Sequence, residues 1–357
     1  MNQQSPPRGR GSTINPTGRF ERLAYDDADV DVVQHDEFAE ESPRLATEYY
    51  RDTTASIVAR NDSPDVGFEA SINPYRGCQH GCVYCFARPT HEYLGLSAGL
   101  DFETKIFVKE NAAQLLRAKL QSKSWKPTPL ALSGVTDPFQ PIERKLRVTR
   151  GVLEVLAEFR NPVIIITKNH LVTRDVDLLA SLAEHNAVRV CLSITTLDAK
   201  LARTMEPRTS SPERRFDAVH TLSKAGVPVC VLMAPIVPGL TDWEIPRVLE
   251  RAAQAGARSA GYVVLRLPYG VKQIFEQWLE THYPEHKEKV LSRVRALRGG
   301  KLYDSTWGER GTGTGFFAQQ IAALFDASER KYGLDGRDEG VSTAAFRRPT
   351  AQGELFE

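Results

Sequence analysis

The sequence predicts an α/β protein built on a parallel sheet, and three observations predict it. Short β-branched runs recur between residues 67 and 285, amphipathic stretches of helical periodicity separate them, and the run 163–166 is apolar without alternation, as expected of a strand covered on both faces. The strand candidates are 68–72, 130–132, 163–167, 188–194, 227–233 and 262–267, and the helix candidates between them include 151–159, 175–184, 212–225 and 244–255. Such a repeat joins parallel neighbours through right-handed crossovers. Six units make either an open, partial (β/α)6 TIM-type barrel or a doubly wound sheet, and periodicity alone leaves both open.

The segments outside this repeat differ in character. Residues 1–50 carry Pro, Gly and Ser and then an acidic stretch from Asp26 to Glu41. Their low hydrophobicity predicts weak order, so 1–60 is expected to be a flexible N-terminal region ahead of a catalytic core over 61–285. After Pro268 helical periodicity dominates, over 271–282, 285–297 and 315–331, and predicts a helical extension over 286–334 that caps one end or side of the sheet. Residues 335–357 read as a flexible tail. The Gly311–Gly315 stretch lacks the Lys-Ser/Thr ending of a phosphate-binding loop.

Composition narrows the class of function. Of 357 residues 41% are hydrophobic and 25% charged, an ordinary globular balance, and 46 Lys and Arg against 45 Asp and Glu give no bulk signal for nucleic acid. No apolar run approaches the ~20 residues needed to span a bilayer. The first nineteen residues lack the apolar core of a secretory signal, so a cytoplasmic protein is expected. Three of the five cysteines, Cys78, Cys82 and Cys85, fall within eight residues. This clustering points to metal or redox chemistry rather than a disulfide framework.

Spacings of three and two between these cysteines fold a short loop around one centre, with Gly77 and Gly81 permitting tight turns. Thiolates are the standard ligands of iron–sulfur clusters. Three of them leave one iron of a [4Fe–4S] cluster open, and an open metal position marks a reactive site. A Cys3His zinc site with His80 or His91 as fourth ligand has the same local spacing, and as a non-enzymatic zinc or iron–sulfur module it is the bland reading of the motif.

The Cys78-x3-Cys82-x2-Cys85 pattern, with aromatic Tyr84 before the last cysteine, resembles the radical S-adenosylmethionine (radical SAM) superfamily over about residues 67–270. Within it the chain is most similar to the spore photoproduct lyase-related branch, often labelled DNA repair photolyase-like. The resemblance implies a partial (β/α)6 barrel with the cluster at its C-terminal mouth. It also implies reductive cleavage of S-adenosylmethionine to a 5′-deoxyadenosyl radical that abstracts hydrogen from a substrate, with a reductase or flavodoxin-type protein as electron donor. A damaged or modified nucleic acid is the substrate expected from this branch; a protein or small metabolite is the alternative.

The same resemblance assigns cofactor contacts. Asp137, with Thr136 beside it, corresponds to the acidic segment that accepts from the cofactor ammonium; in the absence of a cofactor an Asp-Pro pair reads as a turn. Lys168 closes an apolar strand, where its charge needs a partner, and matches the family lysine that pairs with the cofactor carboxylate. Ser193 resembles a serine that binds the same group, Ile236 lies in the apolar adenine shelf, and Tyr84 is expected to pack on the adenine. The family's hydrogen-donating cysteine has Gly134 in its place here, so Cys191 and Cys230 are the candidate donors, each otherwise a small buried hydrophobe. Glu206, Arg208, Arg214 and Arg215 are placed either to touch ribose or an anionic substrate or to form a solvated charged loop, and the second reading is preferred. The tail residues Gln352, Leu355 and Phe356 resemble the short peptide by which bacterial repair proteins dock on the sliding clamp.

Overall fold

The computed structural model describes residues 7, 9–20, 45–335 and 340–349. Its main sheet contains β2 (Val58–Arg60), β3 (Ala70–Ile72), β6 (Leu130–Leu132), β7 (Val163–Thr167), β8 (Val188–Ser193), β9 (Val229–Ile236) and β10 (Ser259–Val264). A small sheet joins β1 (Glu48–Arg51), β4 (Tyr75–Arg76) and β5 (Lys105–Val108).

The strand order β10-β9-β8-β7-β6-β3-β2 decides between the two architectures. From β3 to β10 every neighbouring pair is parallel and the order follows the chain without reversal, while β2 adds antiparallel at the edge. A doubly wound sheet reverses its order at a switch point. Six sequential parallel strands instead put every crossover helix on one face, which is the partial barrel.

The helices are α1 (Leu100–Thr104), α2 (Ala112–Gln121), α3 (Glu143–Leu146), α4 (Val148–Phe159), α5 (Val176–Ala183), α6 (Ala199–Met205), α7 (Pro212–Lys224), α8 (Ile245–Gln254), α9 (Val271–His282), α10 (Pro284–Leu297) and α11 (Gly315–Lys331). Burial shows which face they cover. Val163 and Ile165, Val188, Val190 and Leu192, and Val229, Val231 and Met233 share one core with Leu153, Leu156, Leu179, Val219 and Leu249 of the helices. Alternation along a strand then turns Ile164, Ile166, Cys191, Ser193, Cys230, Leu232 and Ala234 to the inner face. The 163–166 run is therefore fully buried only on its helix side; Ile164 and Ile166 are half-buried inside the barrel.

The C-terminal helices divide their work. Helices α9 and α10 bury Phe275, Trp278, Val290 and Leu291 in a core that includes Val83 and Tyr84 of the cysteine loop. Helix α11 packs outside, its Phe325 ring 4.6 Å from Tyr262 of β10. The C-terminal helices therefore cover the mouth with two of their number, α9 from the expected core span and α10, and the outer wall with α11. Strand β10 ends at Val264, not at Leu267, because Arg298 takes the carbonyls of Val264 and Leu265 and Val264 donates to Gly311. Leu265 and Leu267 turn instead into the α9–α10 core.

Residues 340–349 run along the opposite end of the barrel. Ser342 donates to the carbonyl of Asn186, Arg347 to that of Phe159, and the Arg348 guanidinium to that of Trp125. Gln352, Leu355 and Phe356 lie outside the described residues. Among the described residues no helix is long and apolar enough to cross a membrane. Leu156 sits fully buried where α4 meets the sheet. Leu156→Ala is expected to cost about 2–5 kcal/mol, read as a lower denaturation midpoint at unchanged slope.

Candidate active site

The loop that carries Cys78, Cys82 and Cys85 leaves β4 and ends in the 3-10 turn Arg88–Leu94. It has almost no regular structure of its own, so its backbone must be held by other groups. Gly77 and Gly81 adopt φ of +76° and +66°, and a Cβ at Gly81 would come within 2.7 Å of the Glu103 carboxylate. Cys78 donates to the Phe102 carbonyl at 2.8 Å and Val83 to the Met205 carbonyl at 3.1 Å. Gln79 and Gln140 exchange bonds with each other's segments: the Gln79 amide donates to Gln140 Oε1, the Gln140 amide group to the Gly77 carbonyl, and Ile142 N–H to Gln79 Oε1.

At the centre lies Arg88, a fully buried side chain. Its Nε donates to the Cys82 carbonyl at 2.9 Å, Nη1 to the carbonyls of Ala98 and Gly99 at 3.0 and 2.9 Å, and Nη2 to the Gly81 carbonyl at 3.1 Å and to the Glu103 carboxylate. All five guanidinium donors are used. Glu103 in turn accepts from the backbone N–H groups of Gly11 and Ser12. Residues 9–20, inside the span expected to be weakly ordered, thus form an arm on the loop: Arg10 reaches the Glu103 carbonyl, and Gly11 lies so close to Gly81 that a Cβ there would overlap its carbonyl.

Around this loop the ends of the parallel strands converge. Lys168, just after β7, extends Nζ to the Ala234 carbonyl of β9 at 3.1 Å and stands 5.8 Å from the Tyr84 ring centre. The Tyr84 hydroxyl donates to Glu206, which also accepts from Thr195 at 2.7 Å and from Arg215. Arg215 donates further to the Ser193 carbonyl at 2.8 Å. Glu206 and Arg215 are therefore a buried ion pair that fixes Tyr84 and the end of β8, which corrects the reading of this segment as solvated; Arg214 remains on the surface. Burial alone would raise the Glu206 pKa, but Arg215 and Lys168 hold it down at about 2. Ile236 is fully buried at the end of β9.

Thr136 and Asp137 face inward to the protein. Thr136 Oγ1 donates to the Tyr75 carbonyl at 2.9 Å. Asp137 accepts from Phe139 N–H, Thr167 Oγ1 and Lys168 N–H, and His80 Nδ1 lies 3.3 Å from its Oδ2. Four donors on one carboxylate occupy its lone pairs. Buried His80 would by desolvation lose its proton, but Asp137 and Cys78 hold its pKa up at about 10. His91, in contrast, is packed against Phe102 and Phe107 with Nε2 at 3.0 Å from the Lys105 carbonyl, and burial lowers its pKa to about 4. Both ring nitrogens of His80 are thus engaged, Nδ1 with Asp137 and Nε2 with Asn169, and Nε2 of His91 is engaged with the Lys105 carbonyl.

Cys191 and Cys230 are directly paired across β8 and β9, in the row Ile166–Cys191–Cys230–Ser259 on the inner face, and their thiols lie in each other's electrostatic field. They lie one row below Ser193. At Gly134 a Cβ would meet Ser71 at 2.9 Å, so a thiol does not fit there.

A family model described as the Radical SAM superfamily matches residues 72–252. The chain belongs to the radical SAM superfamily. A protein of Mycobacterium tuberculosis is 38% identical over 232 residues, 64% of this chain and 67% of its own length. A protein of Methanocaldococcus jannaschii is 29% identical over 65% of this chain and 83% of its own. Spore photoproduct lyase complexed with dinucleoside spore photoproduct shares the fold, with a TM-score of 0.55 at 16% identity over 80% of this chain and 79% of that one. Radical SAM members bind a [4Fe–4S] cluster and S-adenosylmethionine, and these are the enzyme's cofactors.

The radical SAM loop suits a cluster by its donor set. Cys82 lies in the field of Cys78 and Cys85, and Cys85 in that of Cys78, and burial pushes the thiols of Cys82 and Cys85 up. Among the described residues no three His, Cys, Asp or Glu side chains converge on a single ion. A lone zinc needs all its donors ~2.3 Å or less from one point, whereas a cluster takes one thiolate at each of several irons.

Sequence reasoning placed the cysteines, Lys168, Tyr84 and Ser193 at the mouth but missed Arg88, Glu103, Gln140 and the role of Glu206. Two outcomes follow from their geometry. Arg88→Lys keeps the charge but not the five-donor fork, so iron and sulfide bound per chain should fall; filling to the wild-type level would contradict the bracing role. Glu206 contributes stability that is full above the ordinary value of 4.5 and lost as pH falls toward about 2. Glu206→Gln should cost about 3–5 kcal/mol at neutral pH, because Arg215 is left buried without a counter-charge, and should flatten that acid limb in unfolding curves.

Proposed function

We propose that Cys78, Cys82 and Cys85 ligate the cluster, that Tyr84, Lys168, Ser193 and Ile236 line the S-adenosylmethionine site, and that the enzyme abstracts hydrogen from a damaged or modified nucleic acid. The observation that carries this reading is the placement of three clustered cysteines, Cys78 and Cys82 buried and Cys85 half-buried, with the Lys168 ammonium and the Tyr84 ring at the C-terminal ends of the parallel strands, where barrel enzymes keep their chemistry. When bound, the two cofactors supply a 5′-deoxyadenosyl radical, the species that removes the hydrogen atom.

The chain's own residues orient and protect. The Lys168 ammonium is placed to meet a carboxylate in a partly desolvated mouth, where the pairing is stronger than in water. Tyr84, its hydroxyl anchored by Glu206, presents a fixed apolar ring. Asp137, saturated by its four donors, acts behind the site as the tie between His80 and the end of β7 rather than as a direct cofactor contact. Ile164, Ile166, Leu232 and Ala234 give the inner wall an apolar lining that excludes water. With no room for a thiol at Gly134, the Cys191–Cys230 pair would be the hydrogen source on the inner wall: one S–H bond breaks as a C–H bond forms on the substrate, and the thiyl radical left on sulfur is returned to the thiol by one electron from the flavodoxin-type donor and a proton. A nucleic-acid substrate is supported by the likeness to spore photoproduct lyase, which shares the fold and is complexed with dinucleoside spore photoproduct.

The test is anaerobic reconstitution followed by turnover. The loaded protein should be brown with about four irons per chain, lose them in Cys82→Ala, and release 5′-deoxyadenosine with dithionite. Deuterium from a labelled lesion-bearing oligonucleotide should appear in that product. A colourless protein holding one zinc sinks the whole reading; a brown protein whose deoxyadenosine takes no deuterium from any nucleic acid sinks the substrate.

A further inference from the structure

Several of the large aromatic side chains left open to water lie along one line. Phe20, Phe86, Tyr93 and Tyr269 are 56%, 50%, 70% and 50% exposed, and they join through guanidinium groups. Phe86, the residue after Cys85, lies 4.7 Å from the Arg266 guanidinium. Arg266 stands in the field of Arg310, Tyr303, Asp65 and Cys85. The Tyr303 ring is 6.3 Å from that of Tyr269, and Arg19 lies 4.0 Å from the Tyr269 ring centre, 5.5 Å from Tyr93 and 5.2 Å from Phe20. The line thus begins beside a cluster cysteine and runs outward over the N-terminal arm.

Two of its members are held in costly states. Tyr269 has φ of +49°, an outlier for a bulky side chain, and the conformation ends with its ring half in water. Arg266 is half-buried and makes no hydrogen bond or salt bridge among the described residues, whereas Arg19 is matched by Glu92 and Arg310 by Asp65. A guanidinium desolvated beside a second arginine calls for an anion. Flat faces alternating with cations are what a single strand of nucleic acid fits, its bases stacking on the rings and its phosphates meeting the guanidiniums. A duplex keeps its base faces stacked on one another and offers none to these rings.

We infer that this band is the track along which a single strand of nucleic acid reaches the barrel mouth. The inference rests on the reading of the substrate as nucleic acid and names the surface that would take it.

The experiment uses the full, cofactor-loaded chain and fluorescent oligothymidylate or oligouridylate of about 12 nucleotides, with anisotropy read over a range of salt. The single strand should bind better than the matching duplex, and more weakly as salt rises. Tyr93→Ala and Tyr269→Ala should each weaken binding by roughly 5- to 100-fold, and Arg266→Ala should weaken it and reduce the salt slope by about 0.7. Trp243→Ala and Phe316→Ala, at exposed aromatic positions outside the band, should leave binding unchanged. Band variants that bind like the wild type, or a duplex or an acidic peptide bound as well as the single strand, overturn the track. Iron content and deoxyadenosine formed without nucleic acid are scored separately: an active brown enzyme that binds no oligonucleotide retires the band but not the radical chemistry, and a colourless chain that binds through these residues upholds the band alone.

Discussion

The candidate site depends on one buried guanidinium. A loop of eight residues that presents three cysteines to a common centre cannot satisfy its carbonyls with a helix or a strand, and it lies too deep for water to do so. Arg88 supplies five donors from a single planar group and places them on Gly81, Cys82, Ala98, Gly99 and Glu103. A lysine would bring the charge without the fork. Glu103 balances the charge and passes the constraint on, to the backbone of Gly11 and Ser12.

From that anchor the mouth is assembled from several strands at once. The loop meets the segment after β6 through Gln79 and Gln140, the end of β7 through His80 and Asp137, and the end of β8 through Tyr84 and Glu206. The sequential parallel order makes this possible, because it brings every strand's C-terminal end to the same rim. The inner face below the rim is lined by apolar and sulfur-bearing side chains from the same strands, so the wall and the mouth share their supports.

Much of the scaffold was legible because burial forces it into the sequence. The uniform apolar runs at 130–132 and 163–167 and the amphipathic spans 271–282 and 315–331 coincide with β6, β7, α9 and α11 as observed. The ends of β9 and β10 were less legible, since the β9–β10 register and the capture of Val264 and Leu265 by Arg298 decide them rather than any local preference. The cysteine triplet, Lys168 and Tyr84 carried a signal in residue type and spacing. Glu206 and Arg215 did not: a charge reads as solvated until its partner is known, and theirs is nine positions away across a turn. The order of the N-terminal arm was hidden for a different reason. It is held by backbone hydrogen bonds and by glycine contacts, and hydrophobicity, the quantity by which order is judged from composition, does not register them.

The arm also sets an order of events in biosynthesis. Gly11 and Ser12 dock on a carboxylate about ninety positions downstream, so this segment has no seat until α1 has left the ribosome and folded. A contact of such long sequence separation forms late, because its loop closure must be offset by other contacts already in place. Docking of the arm against Gly81 and Glu103 is therefore a late step in completing the frame around the loop.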